Sequence, residues 1–296
     1  MTGTAELADL DRRRHPVRTD LAARAYEGRV DVPRFADGTL MHVTADLVDI
    51  RPVPDPCRSI DSQAIFGEQV TVFEVSDDGW AWGQLGTDGY VGYMPYSALG
   101  DTGETPTHRV TALRSYRYPS PELKSPPLGL LSLGARVAVI GETVVRGLTY
   151  ALLADGSAMV ARHLAPLGAR VDDWVSVAEM FLGTPYLWGG RSSLGLDCSA
   201  LIQLAAAEAG ILVPRDSDMQ AGEAGDALPL EDFSKGNRRR GDLLFWKGHV
   251  GVLLSPDELL HANGHTMSVA REPVAEALSR ISKVEWGALT GWRRLR

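Results

Sequence analysis

The sequence predicts a multidomain α+β protein in which two small β-barrels precede a third domain of mixed helices and strands. Short strand-like runs broken by Asp-Gly turns fill residues 36–100, and a fainter copy of that pattern follows over 105–167. From residue 172 onward the apolar residues take helical spacing instead. The chain has 296 residues, more than one ordinary domain needs, which agrees with several domains.

An N-terminal extension, residues 1–35, comes before the first barrel. It is charged and partly helical in pattern around Leu21-Ala22-Ala23-Arg24, and we expect it to pack on the rest of the chain. Its first residues include acids and lack the apolar stretch of a secretory signal. No window approaches the about 18 consecutive apolar residues of a membrane span. The expectation is a cytoplasmic protein with no membrane partner.

Both barrels are predicted from strands and turns. In the first barrel, the strand candidates are 70–75, 80–85 and 90–94, and the turns between them are Asp77-Asp78-Gly79 and Thr87-Asp88-Gly89. In the second barrel, residues 133–140 resemble 65–72, and residues 154–160 resemble 87–93. A polar linker, Gly100 to Pro106, separates the copies. Two tandem barrels, 36–100 and 105–167, are the prediction.

The third domain, residues 172–296, combines two helices with an antiparallel sheet. Asp172 or Asp173 can cap a first helix, which Gly183 and Pro185 end. A second helix is predicted from Cys198 through Ala209, with Gly210 as its stop. The strands predicted after it are 243–246, 249–254 and 259–262.

Composition limits the possible partners. The hydrophobic fraction is 44% and the charged fraction 23%, values typical of a soluble globular protein. The net charge of −8 argues against a nucleic-acid partner, which would need clustered Lys and Arg; the run Arg238-Arg239-Arg240 is too short to supply them. The two cysteines, Cys57 and Cys198, lie in different predicted domains, so no disulfide framework is expected.

Cys198 is the candidate nucleophile. It begins a predicted helix, whose N-terminus lowers the pKa of a thiol, and Asp197 is a plausible cap for that helix. The turn Ser255-Pro256-Asp257 folds two strands together, so His249 and His261 are expected side by side on one face. A thiol with two histidines offers a nucleophile, a general base and an orienting group.

A zinc site is the competing interpretation, because one Cys and two His are also zinc ligands. No closely spaced ligand pair of the CxxC or HxxxH kind accompanies them. The sequence therefore predicts neither a metal nor another cofactor.

Four motifs resemble the NlpC/P60 peptidase family, in the order and with the spacing that the family has. They are Thr184-Pro185-Tyr186-Leu187-Trp188-Gly189-Gly190, Leu196-Asp197-Cys198-Ser199-Ala200-Leu201, Arg240-Gly241-Asp242-Leu243-Leu244-Phe245-Trp246 and His249-Val250-Gly251-Val252. The resemblance implies a papain-like α+β fold with Cys198 as nucleophile, His249 as base and His261 as the orienting group. It also implies that Tyr186 lies near the oxyanion, to which its hydroxyl and the Cys198 N–H could donate.

The barrels resemble bacterial SH3 domains, in which Gly89-Tyr90-Val91-Gly92-Tyr93 matches a characteristic Gly-Tyr-x-Gly-Trp run. SH3-like domains before an NlpC/P60 domain resemble the γ-D-glutamyl-L-diamino acid endopeptidases of cell-wall recycling. That resemblance implies hydrolysis of the γ-D-glutamyl-diamino acid bond in a murein-derived peptide with a free N-terminal L-Ala.

A free ammonium must be paired with polar or acidic groups if it is buried. The candidate partners are Asp197, Ser199, Asp216 and Ser217 in the catalytic domain, and Asp61 and Tyr90 in the first SH3-like domain.

Two other functions stay open. A peptidoglycan hydrolase could act on intact cell wall with the SH3-like domains as anchors, although no leader is visible. A non-catalytic SH3-type binding protein is the other alternative, and the complete set of Tyr186, Cys198, His249 and His261 counts against it. The identity of the diamino acid and the oligomeric state are not predicted.

Overall fold

The computed structural model describes residues 10–296, which form two compact units. The first unit runs to Val110 and includes Ser115–Leu131 and Ala135–Leu164. The second is Ala165–Arg296 with the short segments Thr111–Arg114 and Ser132–Gly134. The main division therefore follows Leu164, and both segments predicted as barrels lie largely in the first unit. Among the described residues, no helix is long and apolar enough to span a membrane.

The first β region is built on a five-stranded sheet of order β8-β7-β6-β3-β9, with β4 paired to β5. Its strands are β1 (Ala22–Ala23), β2 (Phe35–Ala36), β3 (Thr39–Val43), β4 (Leu47–Ile50), β5 (Ser62–Ile65), β6 (Gln69–Val75), β7 (Trp80–Leu85), β8 (Val91–Pro95) and β9 (Leu99–Asp101). The strands predicted at 70–75, 80–85 and 90–94 are confirmed. Val43, Ile50, Val70 and Met94 are fully enclosed in its core.

The described part of the extension, residues 10–35, has no α-helix; residues 1–9 lie outside the described residues. Residues 10–35 contain only a three-residue 3-10 turn, and β1 pairs in parallel with β2. The helical interpretation of Leu21 to Arg24 is wrong because Ala22 and Ala23 make strand bonds instead. Leu21 packs against Trp82 and Val91, so this part of the extension does lie on the first β region.

The second β region has its own small core, which includes Val110, Leu131, Leu153 and Met159. Its strands are β10 (His108–Val110), β11 (Arg114–Arg117), β12 (Gly129–Ser132), β13 (Arg136–Val137), β14 (Val139–Val145), β15 (Leu148–Leu153), β16 (Ala158–Val160) and β17 (Leu164–Pro166). They form the small sheets β13-β10-β17, β11-β12 and β14-β15-β16. A second SH3-like barrel over 105–167 stays a prediction.

The second unit contains a six-stranded sheet of order β20-β25-β21-β22-β23-β24. Its helices are α1 (Trp174–Met180), α2 (Cys198–Glu208), α3 (Ser217–Glu223) and α4 (Val274–Val284). Its strands are β18 (Arg191–Ser192), β19 (Gly195–Leu196), β20 (Asp226–Ala227), β21 (Asp242–Trp246), β22 (His249–Ser255), β23 (Glu258–Asn263), β24 (Ser268–Pro273) and β25 (Gly291–Arg294). The predicted helices and strands are all present, and Asp173 is the cap that the first helix uses.

The strand alternation divides the apolar side chains between two layers of helices. Leu243 and Phe245 pack in the cluster that contains α1 and α2. Leu244 and Trp246, their neighbours on β21, pack against α4 on the other face. Helix α4, which the sequence analysis missed, therefore covers the side of the sheet opposite α2.

Asp242 anchors the centre of this sheet. Its fully buried carboxylate accepts hydrogen bonds from the Arg239 N–H at 2.9 Å, from Trp292 Nε1 at 3.0 Å and from Arg294 Nε at 2.6 Å. It thus joins the loop before β21 to β25. The acid of the Arg240-Gly241-Asp242 motif therefore has a structural role.

Replacing Asp242 with Ala should lower the free energy of unfolding by about 3 kcal/mol, because buried donors lose their acceptor. Urea unfolding followed by tryptophan fluorescence measures this. Asp226→Ala is the matched control: it removes the acid of an exposed pair with Arg296 and should cost under about 0.5 kcal/mol. Equal costs for the two variants would contradict the structural role.

Candidate active site

Cys198 is the first residue of α2, and Asp197 caps that helix by accepting the Ala200 N–H at 2.9 Å. The backbone N–H groups of Val250 and Ser199 are near enough to favour the ionised form of the thiol, which places the sulfur close to the start of β22. Burial, followed by the negative charge of Asp197, raises the pKa of the thiol to about 12. The expectation that the helix N-terminus leaves Cys198 ready to ionise is therefore wrong for the resting site.

His249 and His261 form a hydrogen-bonded pair. His249 Nε2 lies 2.8 Å from His261 Nδ1, and both rings are buried. The β22–β23 hairpin aligns them as predicted. A side chain at Gly251 would collide with Leu259 and crowd the Cβ of His261, so glycine gives this face the room it needs. Burial, and then the neighbouring His261, lower the pKa of His249 to about 3, so the ring is a neutral base.

A carboxylate that the sequence analysis missed lies behind the pair. Glu272 Oε1 is 3.0 Å from His261 Nε2 and also accepts from Arg280. Ala270 is the cross-strand partner of His261, and Glu272 follows two residues later on the same face. The sequence alone could not place Glu272 on the face of the histidines, because that placement depends on the pairing of β23 with β24.

Tyr186 lies on the loop before α2 and is half-buried against the α2 side of the core. Its N–H donates to Met267 O at 2.9 Å, which ties the loop to the turn before β24. Burial, followed by the charges of Cys198 and Asp197, raises the pKa of its hydroxyl. The hydroxyl therefore keeps its proton and can donate a hydrogen bond near the thiol.

Asp197 is held in a buried ion pair with Arg215. Two guanidinium nitrogens reach its two oxygens, at 2.9 and 2.8 Å, and the Arg215 side chain is 1% exposed. Ser199 Oγ donates to the same carboxylate at 3.1 Å. A substrate ammonium would have to share Asp197 and Ser199 with Arg215, a competitor that the sequence analysis did not identify. The substrate-binding role of both residues stays a prediction.

The other predicted substrate residues lie in different surroundings. Asp216 and Ser217 are half-buried at the start of α3, directly after Arg215. In the first unit, Asp61 pairs with Arg12 at 2.8 Å. Tyr90 is 3% exposed and packs in the barrel core, which favours a structural role for its ring. Contacts of these four residues with substrate stay predictions.

No group of three or more His, Cys, Asp and Glu side chains among residues 10–296 could hold a metal ion. Both cysteines in this range are free thiols, Cys57 exposed and Cys198 buried. The chemistry available at the site is that of a thiol beside a neutral imidazole, with a proton-bearing tyrosine nearby.

Comparison with known proteins agrees with this organisation. Residues 183–285 match the NlpC/P60 family, and residues 50–99 match the bacterial dipeptidyl-peptidase SH3 domain. The chain is 29% identical over 249 residues to Gamma-D-glutamyl-L-lysine dipeptidyl-peptidase of Bacillus cereus, an alignment that covers 73% of this chain and 71% of that protein. It is 33% identical over 113 residues to Peptidoglycan endopeptidase RipB of Mycobacterium tuberculosis, which covers 32% of this chain and 44% of RipB.

A solved structure shares the fold. It is the crystal structure of an NlpC/P60 family protein from Bacillus cereus, with a TM-score of 0.70 and 21% identity, covering 86% of this chain and 99% of that one. A helix that presents a cysteine to an antiparallel sheet with paired histidines fits the papain-like fold of NlpC/P60 domains. The chain carries an NlpC/P60 domain, the domain of a family of cysteine peptidases, together with a bacterial SH3 domain of the dipeptidyl-peptidase type.

The neutral state of His249 predicts a pH-dependent stability. Its pKa is about 3 in the folded protein against 6.5 without the fold, so between these values only the unfolded chain binds this proton. Stability from this residue is complete above pH 6.5 and is lost as the pH falls toward 3. Lowering the pH from 7 to 5.5 should cost the wild type about 1 kcal/mol more than His249→Gln, measured by urea unfolding. The same loss in both proteins would refute a neutral His249.

Proposed function

We propose that the protein is a cysteine peptidase that hydrolyses the γ-D-glutamyl-diamino acid bond of murein peptides with a free N-terminal L-Ala. The observation that carries this proposal is the long alignment with Gamma-D-glutamyl-L-lysine dipeptidyl-peptidase, which covers about three-quarters of the chain. A dipeptidyl-peptidase-type SH3 domain in the same chain supports it.

The proposed reaction uses Cys198, His249 and Tyr186. His249 takes the thiol proton as the sulfur attacks the γ-carbonyl carbon of D-Glu. The Cys198 N–H and the Tyr186 hydroxyl donate to the oxyanion. The C–N bond then breaks, and His249 gives its proton to the leaving amine of the diamino acid. Water hydrolyses the thioester: His249 takes one water proton and returns it to the sulfur, which frees the L-Ala-γ-D-Glu product.

Recognition of the free amine would rest on acids near the site. The acids of the catalytic unit that we favour for the ammonium are Asp197, which already pairs with Arg215, and Asp216. We further propose that the enzyme acts in the cytoplasm during murein-peptide recycling, because a free L-Ala amine belongs to a released peptide.

A wall hydrolase is the second candidate. The match with RipB, a protein named as a peptidoglycan endopeptidase, favours it. Intact wall offers stem peptides whose L-Ala amine is acylated, so the amine is the feature that separates the two functions.

The purified protein should cleave L-Ala-γ-D-Glu-diaminopimelate or its lysine counterpart, and N-acetylation should lower kcat/KM by at least about 10-fold. Acetylation removes the positive charge that the acids of the site would bind. Product release followed by liquid chromatography measures both rates. Equal cleavage of the free and the N-acetylated peptide, together with digestion of intact peptidoglycan, would favour the wall hydrolase and contradict the recycling proposal.

Cys198→Ala should lower turnover by at least about 10⁴-fold and leave the fold intact, because the nucleophile is lost. Cys57→Ser is the matched control; this thiol is exposed, and its loss should leave kcat within about two-fold of the wild type. Circular dichroism verifies folding. Turnover that survives in Cys198→Ala would refute the nucleophile, and a wild type that cleaves none of these peptides would favour the binding-protein alternative.

A further inference from the structure

Three charged side chains form a row behind the histidine pair. Glu272 Oε1 lies 3.0 Å from His261 Nε2, and the same oxygen accepts from Arg280. Arg280 also pairs with Glu285 on its other side. The side chains of the row are 17–20% exposed, far less than those of most ion pairs in the described chain.

Secondary structure fixes this row. Glu272 is the penultimate residue of β24, two residues before α4 begins. It lies on the same face of β24 as Ala270, the cross-strand partner of His261. Helix α4 covers this face of the sheet, and Arg280 lies on it. The carboxylate is therefore held between a strand and a helix, and no loop carries it.

The charge state of Glu272 determines the direction of each hydrogen bond. Burial acts to raise its pKa, but the contacts with His261 and Arg280 outweigh it and lower the pKa to about 2. His261 Nε2 makes no aligned hydrogen bond in this structure, but an anionic oxygen 3.0 Å away repels a ring lone pair and therefore favours a proton on that nitrogen. A His261 ring that carries only this proton accepts at Nδ1, and His249 then donates from Nε2. His249 Nδ1 is left with the lone pair that can take the thiol proton.

We propose that Glu272, oriented by Arg280, is a positioning residue that fixes the proton arrangement of His261 and through it makes Nδ1 the basic atom of His249. This deepens the proposed function and rests on it only for the kinetic consequence. Glu272 touches neither substrate nor sulfur in this role. It acts as the outermost member of a chain that runs from the carboxylate through both imidazoles.

The positions of the histidine protons can be observed without any substrate. Two-bond ¹H–¹⁵N spectra of protein labelled with ¹⁵N-histidine report the tautomer of each ring, and His249→Gln and His261→Gln assign the signals. We expect the Nε2–H form for both rings in the wild type. In Glu272→Ala, His261 should lose its majority Nε2–H form; in Glu272→Gln, an amide oxygen can still accept and should restore it.

Kinetics on the free-amine peptide give the second readout. Glu272→Ala should lower kcat by about 10- to 100-fold, the range seen when outer partners of functional imidazoles are removed in metal sites. KM should stay within about two-fold, because the substrate contacts are intact, and Glu272→Gln should recover most of kcat. Glu285→Gln is the matched control, since it removes the other acid on Arg280 and should change neither kcat nor the tautomers. Urea midpoints verify that each variant is folded.

Unchanged tautomers in Glu272→Ala would overturn the proposal, as would a loss of kcat in Glu285→Gln as large as that in Glu272→Ala. The failure of the proposed function has a different signature. In that case the wild type would not cleave the peptide, while the spectra would still decide whether Glu272 orients the pair.

Discussion

The ion pair between Asp197 and Arg215 is the interaction on which the site depends. The Asp197 carboxylate caps α2, accepts the Gly189 N–H at 3.2 Å and binds Arg215 through both oxygens. Arg215 also donates to Gly190 O at 3.2 Å. The loop that carries Tyr186, the helix that carries Cys198 and the segment before α3 are therefore joined at one carboxylate. Loss of either partner would leave a buried charge unpaired, which is far costlier than the net value of the pair.

This arrangement has an electrostatic consequence for the nucleophile. An anion one residue before Cys198 opposes ionisation of the thiol, and burial opposes it more strongly. Arg215 offsets part of that effect. A helix N-terminus, with its partial positive charge, is not enough to produce a resting thiolate here. The proton must therefore leave the sulfur as the attack proceeds, and a neutral, correctly oriented His249 is the group that can receive it.

The parts of the site that the sequence predicted are those that depend on local rules. A cap followed by apolar spacing predicted α2, and a strand predicted over 249–254 with a tight turn after it placed His249 beside His261. The residues that the sequence analysis missed reach the site through strand pairing and helix packing, which local sequence patterns do not predict. Glu272 and Arg280 look like surface charges in the sequence, although Val274, Ala277 and Ile281 at helical spacing could have indicated α4. The helix expected at Leu21 to Arg24 failed because pairing with Phe35 outweighed local propensity.

Arg280 offsets part of the effect that the Glu272 charge has on the histidines. For His249, the positive Arg280 lowers the pKa and the negative Glu272 raises it. A lone carboxylate in this position would pull a proton onto His261 and leave a cation that repels protonation of its partner. With Arg280 bound to the same oxygen, Glu272 keeps its accepting role while its field at the rings is reduced. The hydrogen bonds then set which nitrogen is basic, and burial sets how basic it is.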